Sequence, residues 1–220
     1  MISKQILKEI HSLTETLIRL NLSIDQNFPT TLGTPSRSFE INVANSEKLT
    51  SALKNVPYRE IFSVIESSRS YNIRMIDGAL IILRYKFHND SISEHVLSYF
   101  SSPNLESFQN EPEIYLEDVI YADIIDRSLV CFPMRFDYSS DVSKYVDGHH
   151  PYSHASFGQY KNCRIPVCSP VTPLSFGSFI LRNFYNTAFR KFSDELPNGT
   201  LRFPKSISRN EMKMMHIVCS

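Results

Sequence analysis

The stretch YNIRMIDGALIILRYKFHNDSISEHVLSYF, residues 71–100, decides the fold. Tyr71, Ile73 and Met75 alternate with polar neighbours, and side chains that alternate in this way belong to a strand with one face buried. Asp77-Gly78 follows, a pair that tolerates positive φ and closes a tight hairpin, and LIILRYKF then runs back as a second strand. Asn89-Asp90 supplies another turn of the same chemistry into SISEHVLSYF. The expectation is a three-stranded antiparallel meander.

On the amino-terminal side, Ile2, Ile6, Ile10, Leu13 and Leu17 recur at steps of three and four, while Lys4, Lys8 and Glu15 lie elsewhere on the wheel. This predicts an amphipathic helix that docks on something. NLSIDQNFPTTLGTPSRSF, residues 21–39, has no sustained period and carries Pro29, Gly33 and Pro35, so it reads as an extended connection. Ser46 caps a helix bearing Leu49, Leu53 and Val56; Pro57 stops it and opens another with Tyr58, Ile61, Phe62 and Ile65 inward. Residues 1–67 are thus expected to be a helical amino-terminal part.

On the carboxyl-terminal side, EPEIYLEDVIYADIID is ambiguous, with Ile114, Ile120, Ile124 and Ile125 compatible with a helix. LVCFPMRFDY returns to strand, HPYSHASFG and CRIPV add two more, and Pro133 points to an edge or bulge. Thr172 and Pro173 make a cap and first turn for LSFGSFILRNFYNTAFRK, with Phe176, Phe179, Ile180 and Phe184 on one buried face. Ser208 with Glu211 forms a capping box before a short terminal element. The whole reads as one α+β domain over residues 1–220. A mainly antiparallel sheet of about six strands spans residues 71–168, with a packed helix at 172–191.

At 220 residues, 42% hydrophobic and 21% charged, the chain can bury one sizeable core. Lysines and arginines equal acids at 23 each, so no global positive field gathers nucleic acid or an anionic membrane, and any anion site must be local. The balance is uneven along the chain. Residues 90–128 carry nine acids against Arg127, a net of −8, whereas residues 129–192 carry seven bases against three acids, a net of +4. The acidic run is a solvated face or a shield for the basic one. The charged amino terminus leaves no room for a secretory h-region, and no stretch reaches ~18 apolar residues, so the expectation is a cytoplasmic protein without a membrane partner. Cys131, Cys163, Cys168 and Cys219 form no CxxC pair and read as reduced core thiols.

Groups able to exchange protons cluster between Arg135 and Arg164: Asp137, Tyr138, His149, His150, Tyr152 and His154. Imidazoles titrate near neutral pH and guanidinium groups form a fixed fork for phosphate, a combination suited to phosphoryl transfer without a metal or other cofactor. If His150 and His154 share a strand, four residues at ~3.3 Å set them roughly 13 Å apart, too far for one zinc ion. The same distance is too long to flank one phosphate, which would leave the second acid or base to His95, His149 or Tyr152. A structural polar network is the competing reading of these residues. Glu94 and His95 are neighbours on a strand and point to opposite faces, so at most one of them joins a site. Met212, Met214 and Met215 read as packing or a partner surface. Walker, GxGxxG, GxSxG and HExxH motifs are all absent.

RFDYS at 135–139, HPYSH at 150–154, Gly158, CRIPV at 163–167 and TPLSFGSFILRNFY at 172–185 resemble, in that order, a bacterial family known as domain of unknown function 2290. RYKF…SEHVLSYFSSP, residues 84–103, resembles its first half. The resemblance implies a phage-defence or toxin–antitoxin setting. Asp77-Gly78, Arg135 to Tyr138 and His149-His150-Pro151…His154 also resemble, more loosely, TumE-type toxins, which are proposed ribonucleases. Together these readings give a leading expectation of a metal-independent ribonuclease acting on RNA. His150 and His154 would be the acid–base pair, Asp137 or Tyr138 would orient an imidazole, and Arg135 and Arg164 would hold phosphate, with Tyr152 and His149 contributing to substrate binding. The rival expectation is a non-enzymatic antitoxin, sensor or accessory subunit that meets a partner encoded nearby through Ile6, Ile10 and Leu13 or through the acidic run. A metal-dependent hydrolase is the third.

Overall fold

Two long strands organise the molecule, β5 (Leu80–His88) and β6 (Ser91–Phe100), paired antiparallel from Leu80↔Phe100 to His88↔Ser91. The computed structural model describes residues 1–43, 56–104 and 131–219. Asn89 and Asp90, with φ of 50° and 56°, make the turn between them, as their side chains allow. With β4 (Ile73–Met75) the strands complete the meander expected over residues 71–100. β7 (Pro133–Ser139), β8 (Ser153–Phe157) and the short β9 (Ile165–Pro166) extend the sheet beyond β6, every pairing antiparallel.

Among the described residues the sheet has nine strands rather than about six. The additional ones lie in the segment expected to connect helices: β1 (Ser23–Gln26) pairs with β4, while β2 (Thr30–Gly33) pairs with β3 (Ser38–Asn42), which pairs with β5. Residues 1–67 are therefore not wholly helical. Strands of four or five residues, interrupted by Pro29, Gly33 and Pro35, carry too little period to register, and they are ordered by pairing, β1 with β4, β3 with β5 and β2 with β3. The helix expected from Ser46 and the acidic segment 111–126 lie outside the described residues.

Alternation gives the sheet two unlike faces. On the inner one, Ile81, Leu83, Leu97, Phe136 and Ala155 meet α1 (Ile2–Arg19) and α3 (Pro173–Phe184), which is followed by α4 (Asn186–Lys191). Ile6 and Ile10 are fully buried there, each contributing about 1.5–3 kcal/mol by area. The face of α1 expected to seek a partner is thus covered by the chain's own core, and Ile6, Ile10 and Leu13 are not available as a docking surface. Thr172 caps α3 through its Oγ1, which accepts from the Ser175 amide at 3.3 Å, and Phe176 is buried as its spacing requires. On the outer face, α2 (Tyr58–Ser67) packs Ile61, Phe62 and Ile65 on Leu80, Ile82 and Phe100. That helix covers only the β5-start, β6-end corner of the face. The remainder of β5 to β8 on this side carries Arg84, Glu94, Arg135, Asp137 and His154, and it floors a groove. No helix among the described residues is long and apolar enough to cross a membrane.

Candidate active site

The outer-face groove has a volume of about 950 Å³ and runs from the edge of α2 to the loop preceding β8. Its floor is set by register. Asp137 and His154 are direct cross-strand partners on β7 and β8, and Arg135 lies two residues from Asp137 on the same face. The Arg135 guanidinium donates to Asp137 Oδ2 at 2.8 Å, and His154 Nε2 stands 3.7 Å from that same oxygen. His154 Nδ1 lies 3.1 Å from the Pro151 carbonyl, an acceptor only, so Nδ1 carries the proton and Nε2 is left to face Asp137. Burial holds the His154 imidazole below its usual pKa of 6.5; Asp137 acts in the opposite direction.

His150 is not on a strand. It closes a short loop through a bridge with Val146, donating its amide to the Val146 carbonyl at 2.6 Å and accepting from the Val146 amide at 3.0 Å. The chain then turns through Pro151 before β8 begins. In consequence the His150 and His154 rings meet edge to face with centroids 5.2 Å apart, not the roughly 13 Å of a shared strand. Arg164, just before β9, bears on both imidazoles. Burial and the positive charge of Arg164 lower the His150 pKa below 6.5, with Asp137 opposing.

The loop that presents His150 is tied down from a distance. Glu94 accepts from Lys144 Nζ at 2.9 Å, and Tyr145 stacks on Tyr152 with centroids 4.2 Å apart and planes 7° from parallel. Asp147 accepts from Tyr145 Oη, Ser208 Oγ and Asn210 Nδ2. Glu211 is fully buried; it completes the capping box with Ser208 and also accepts from the Gly148 amide at 3.4 Å. Sequence reasoning found the box but not this second bond, and it gave no role to Lys144, Tyr145 or Asp147. Nothing local could reveal them, since Gly148 and Glu211 are 63 positions apart.

The other expected residues divide. Tyr152 lines the groove, but its ring is engaged with Tyr145. Tyr138 also lines the groove, but it alternates with Asp137 along β7 and its ring packs 5.8 Å from that of His95. His149 is exposed and is not among the residues that line the groove. His95 is buried on the inner face: Nδ1 donates to the Phe136 carbonyl at 3.1 Å and Nε2 accepts from the Val171 amide at 3.0 Å. Burial lowers its pKa to about 3, and it serves as structure. Among the described residues no group of three or more His, Cys, Asp and Glu is placed to hold a metal ion. The four cysteines are free; only Cys168 is buried. Met212, Met214 and Met215 are exposed rather than packed, Met215 at 89%.

A family model described as Uncharacterized conserved protein (DUF2290) matches residues 22–219, a stretch that begins just after α1. No curated protein and no solved structure matches the chain, so the likeness to TumE-type toxins has no support beyond the residues quoted for it.

Proposed function

Because the chain belongs to the uncharacterized conserved DUF2290 family, whose description carries no reaction, we propose its function from the groove: a metal-independent ribonuclease using His150 and His154. The observation that supports this above the rest is the pair of imidazoles 5.2 Å apart, with an arginine bearing on both and a carboxylate beside one. Rings this close can serve one phosphodiester only from the same side, each through a hydrogen bond of about 2.8 Å to a different oxygen.

The charges around each ring assign the roles. Burial lowers both pKa values and Arg164 and Asp137 act on both rings, but Arg164 is the stronger charge at His150 and Asp137 the stronger at His154, so we assign His150 as the neutral base and His154 as the acid. His150 removes the proton from a ribose 2′-hydroxyl. The 2′-oxygen attacks phosphorus to give the 2′,3′-cyclic phosphate, the bond to the 5′-oxygen breaks, and His154 Nε2 protonates that leaving oxygen. Arg164 and Arg135 steady the charge gathering on the phosphoryl oxygens. In a bacterial cell such an activity is toxin-like, in keeping with the defence or toxin–antitoxin setting implied by the family resemblance, and it calls for a protein partner encoded nearby to restrain it.

The test is cleavage of a labelled RNA by the purified chain in the presence of a chelator. His150→Ala and His154→Ala are each expected to lose about 10²–10⁴-fold in rate, the contribution of one acid or base, with circular dichroism unchanged and only a small drop in Tm for the buried His154. Both rings sit below pKa 6.5, so the rate should peak on the acid side of that value and fall as rising pH strips the proton from His154. Full activity in both variants would remove the proposal.

A further inference from the structure

The groove's rim carries a feature that acid–base chemistry does not use. Tyr160 lines the groove mouth yet is 80% exposed, the most open aromatic ring among the described residues, on the turn between β8 and β9. Its ring edge is seated against Gly158. A Cβ built on that glycine would come within 3.3 Å of the Tyr160 ring, and Gly158 holds φ at +67°, a conformation that L side chains rarely adopt. The turn is tied from both ends: the Cys163 amide donates to the Tyr160 carbonyl, and Gln159 Nε2 donates to the Val56 carbonyl at 2.9 Å. A large ring left in solvent forgoes the stabilisation that burial would give it, and here it stands at the entrance to a cationic groove. Arg84, Arg135, Lys144, Lys161 and Arg164 outnumber Glu94, Asp137 and Asp141 among the lining residues. Lys161 and Arg164 make no ion pair with a carboxylate among the described residues.

We infer that Tyr160 is a stacking platform for an unpaired base and that Lys161 and Arg164 hold the adjoining phosphates, so the groove takes single-stranded RNA and not a duplex. The inference rests on the ribonuclease reading of the groove and names its substrate class. A volume of about 950 Å³ admits a few nucleotides in single file but no double helix, and a duplex would keep its bases stacked on one another and away from the ring.

The experiment measures binding apart from cleavage. A fluorescent 2′-O-methyl RNA hexamer lacks the attacking hydroxyl, so its anisotropy titration against the full chain reports binding with no turnover. Single strand is expected to bind at least tenfold tighter than the same sequence in a duplex. Tyr160→Ala should weaken it by about tenfold, the loss of one base stack, and Tyr160→Phe should retain it. Lys161→Ala should lower the slope of log K against log salt by about 0.7, one phosphate contact on a single strand. Equal binding of single strand and duplex, or no effect of Tyr160→Ala, overturns the inference even if unmodified RNA is cleaved. Tyr160-dependent binding of the hexamer without cleavage of unmodified RNA supports the platform and removes the reaction instead.

Discussion

His95 and His154 stand on opposite faces of one sheet, and the difference between them separates what the fold needs from what it leaves open. On the inner face His95 has both nitrogens committed to main chain, and burial drives its pKa to about 3. On the outer face His154 commits only Nδ1, and its Nε2 looks across a cross-strand pair at Asp137 beside His150. The residue type is the same, and both are buried. What distinguishes a purely structural imidazole from one left free to do chemistry is the number of nitrogens the backbone has already occupied. The faces repeat that contrast: α1 and α3 seal the inner one, whereas α2 covers only a corner of the outer one.

The largest effect that tests this comparison is on stability. His95→Leu strands the Val171 amide in the core and removes a second donor from the Phe136 carbonyl, and should cost about 2–3 kcal/mol, read as a lowered midpoint in urea. His154→Ala should lose activity with a much smaller shift. Acid sharpens the contrast. His95 has a folded pKa below its unfolded one, so its contribution is complete above about pH 6.5 and is lost progressively as pH falls toward 3, by about 1 kcal/mol per pH unit. Activity, which needs His154 protonated, should rise over the first part of that same descent. Stability and rate that move together with pH would dissolve the distinction.

The sequence makes the inner face legible and the outer site only in part. Alternation over residues 71–100 and at Met134, Phe136 and Tyr138 gives strands, because burying one face imposes a period of two that any window can see. β1 to β3 escape the same reading, since their order comes from β4 and β5 rather than from their own residues. At the site the relevant residue types were visible, but the distance between His150 and His154 was not. It depends on the Val146–His150 bridge and the bend at Pro151, which take His150 off the strand. Tyr138 lies along the groove with Asp137, yet its ring turns to His95, because neighbours on a strand point to opposite faces.

A middle-sized effect lies at Glu211, a buried carboxylate that belongs to neither face. It supports the His150 loop through the Gly148 amide and holds the terminal turn through Ser208. Glu211→Ala should lower kcat by about tenfold, about 1.4 kcal/mol in the barrier, while the affinity for the 2′-O-methyl hexamer stays within twofold. Glu211→Gln keeps an acceptor and should recover most of the rate. A loss that appears in binding rather than in kcat would make Glu211 a part of general stability and not a positioning residue for His150.

The smallest effect concerns how the inner face is sealed. Asp90 sits in the β5–β6 turn, and its carboxylate accepts from the Ile2 and Ser3 amides at 2.8 and 3.1 Å and from Ser3 Oγ at 2.7 Å. A turn residue thus caps α1, whose own first position, Met1, offers no side-chain acceptor. Against the desolvation of its position, the Ser3 and Ile2 hydrogen bonds hold the Asp90 carboxyl below its usual pKa, so the cap weakens as pH falls through that lowered value. Asp90→Ala should cost about 1 kcal/mol, the ordinary worth of an N-cap, and Asp90→Asn less than half of that. Hydrogen exchange should show the first turn of α1 opening while Ile10 and Leu13 stay protected. The groove lies on the other side of the sheet, so RNA cleavage should be unchanged; a drop in rate with α1 frayed would mean that the two faces are coupled through β5 and β6.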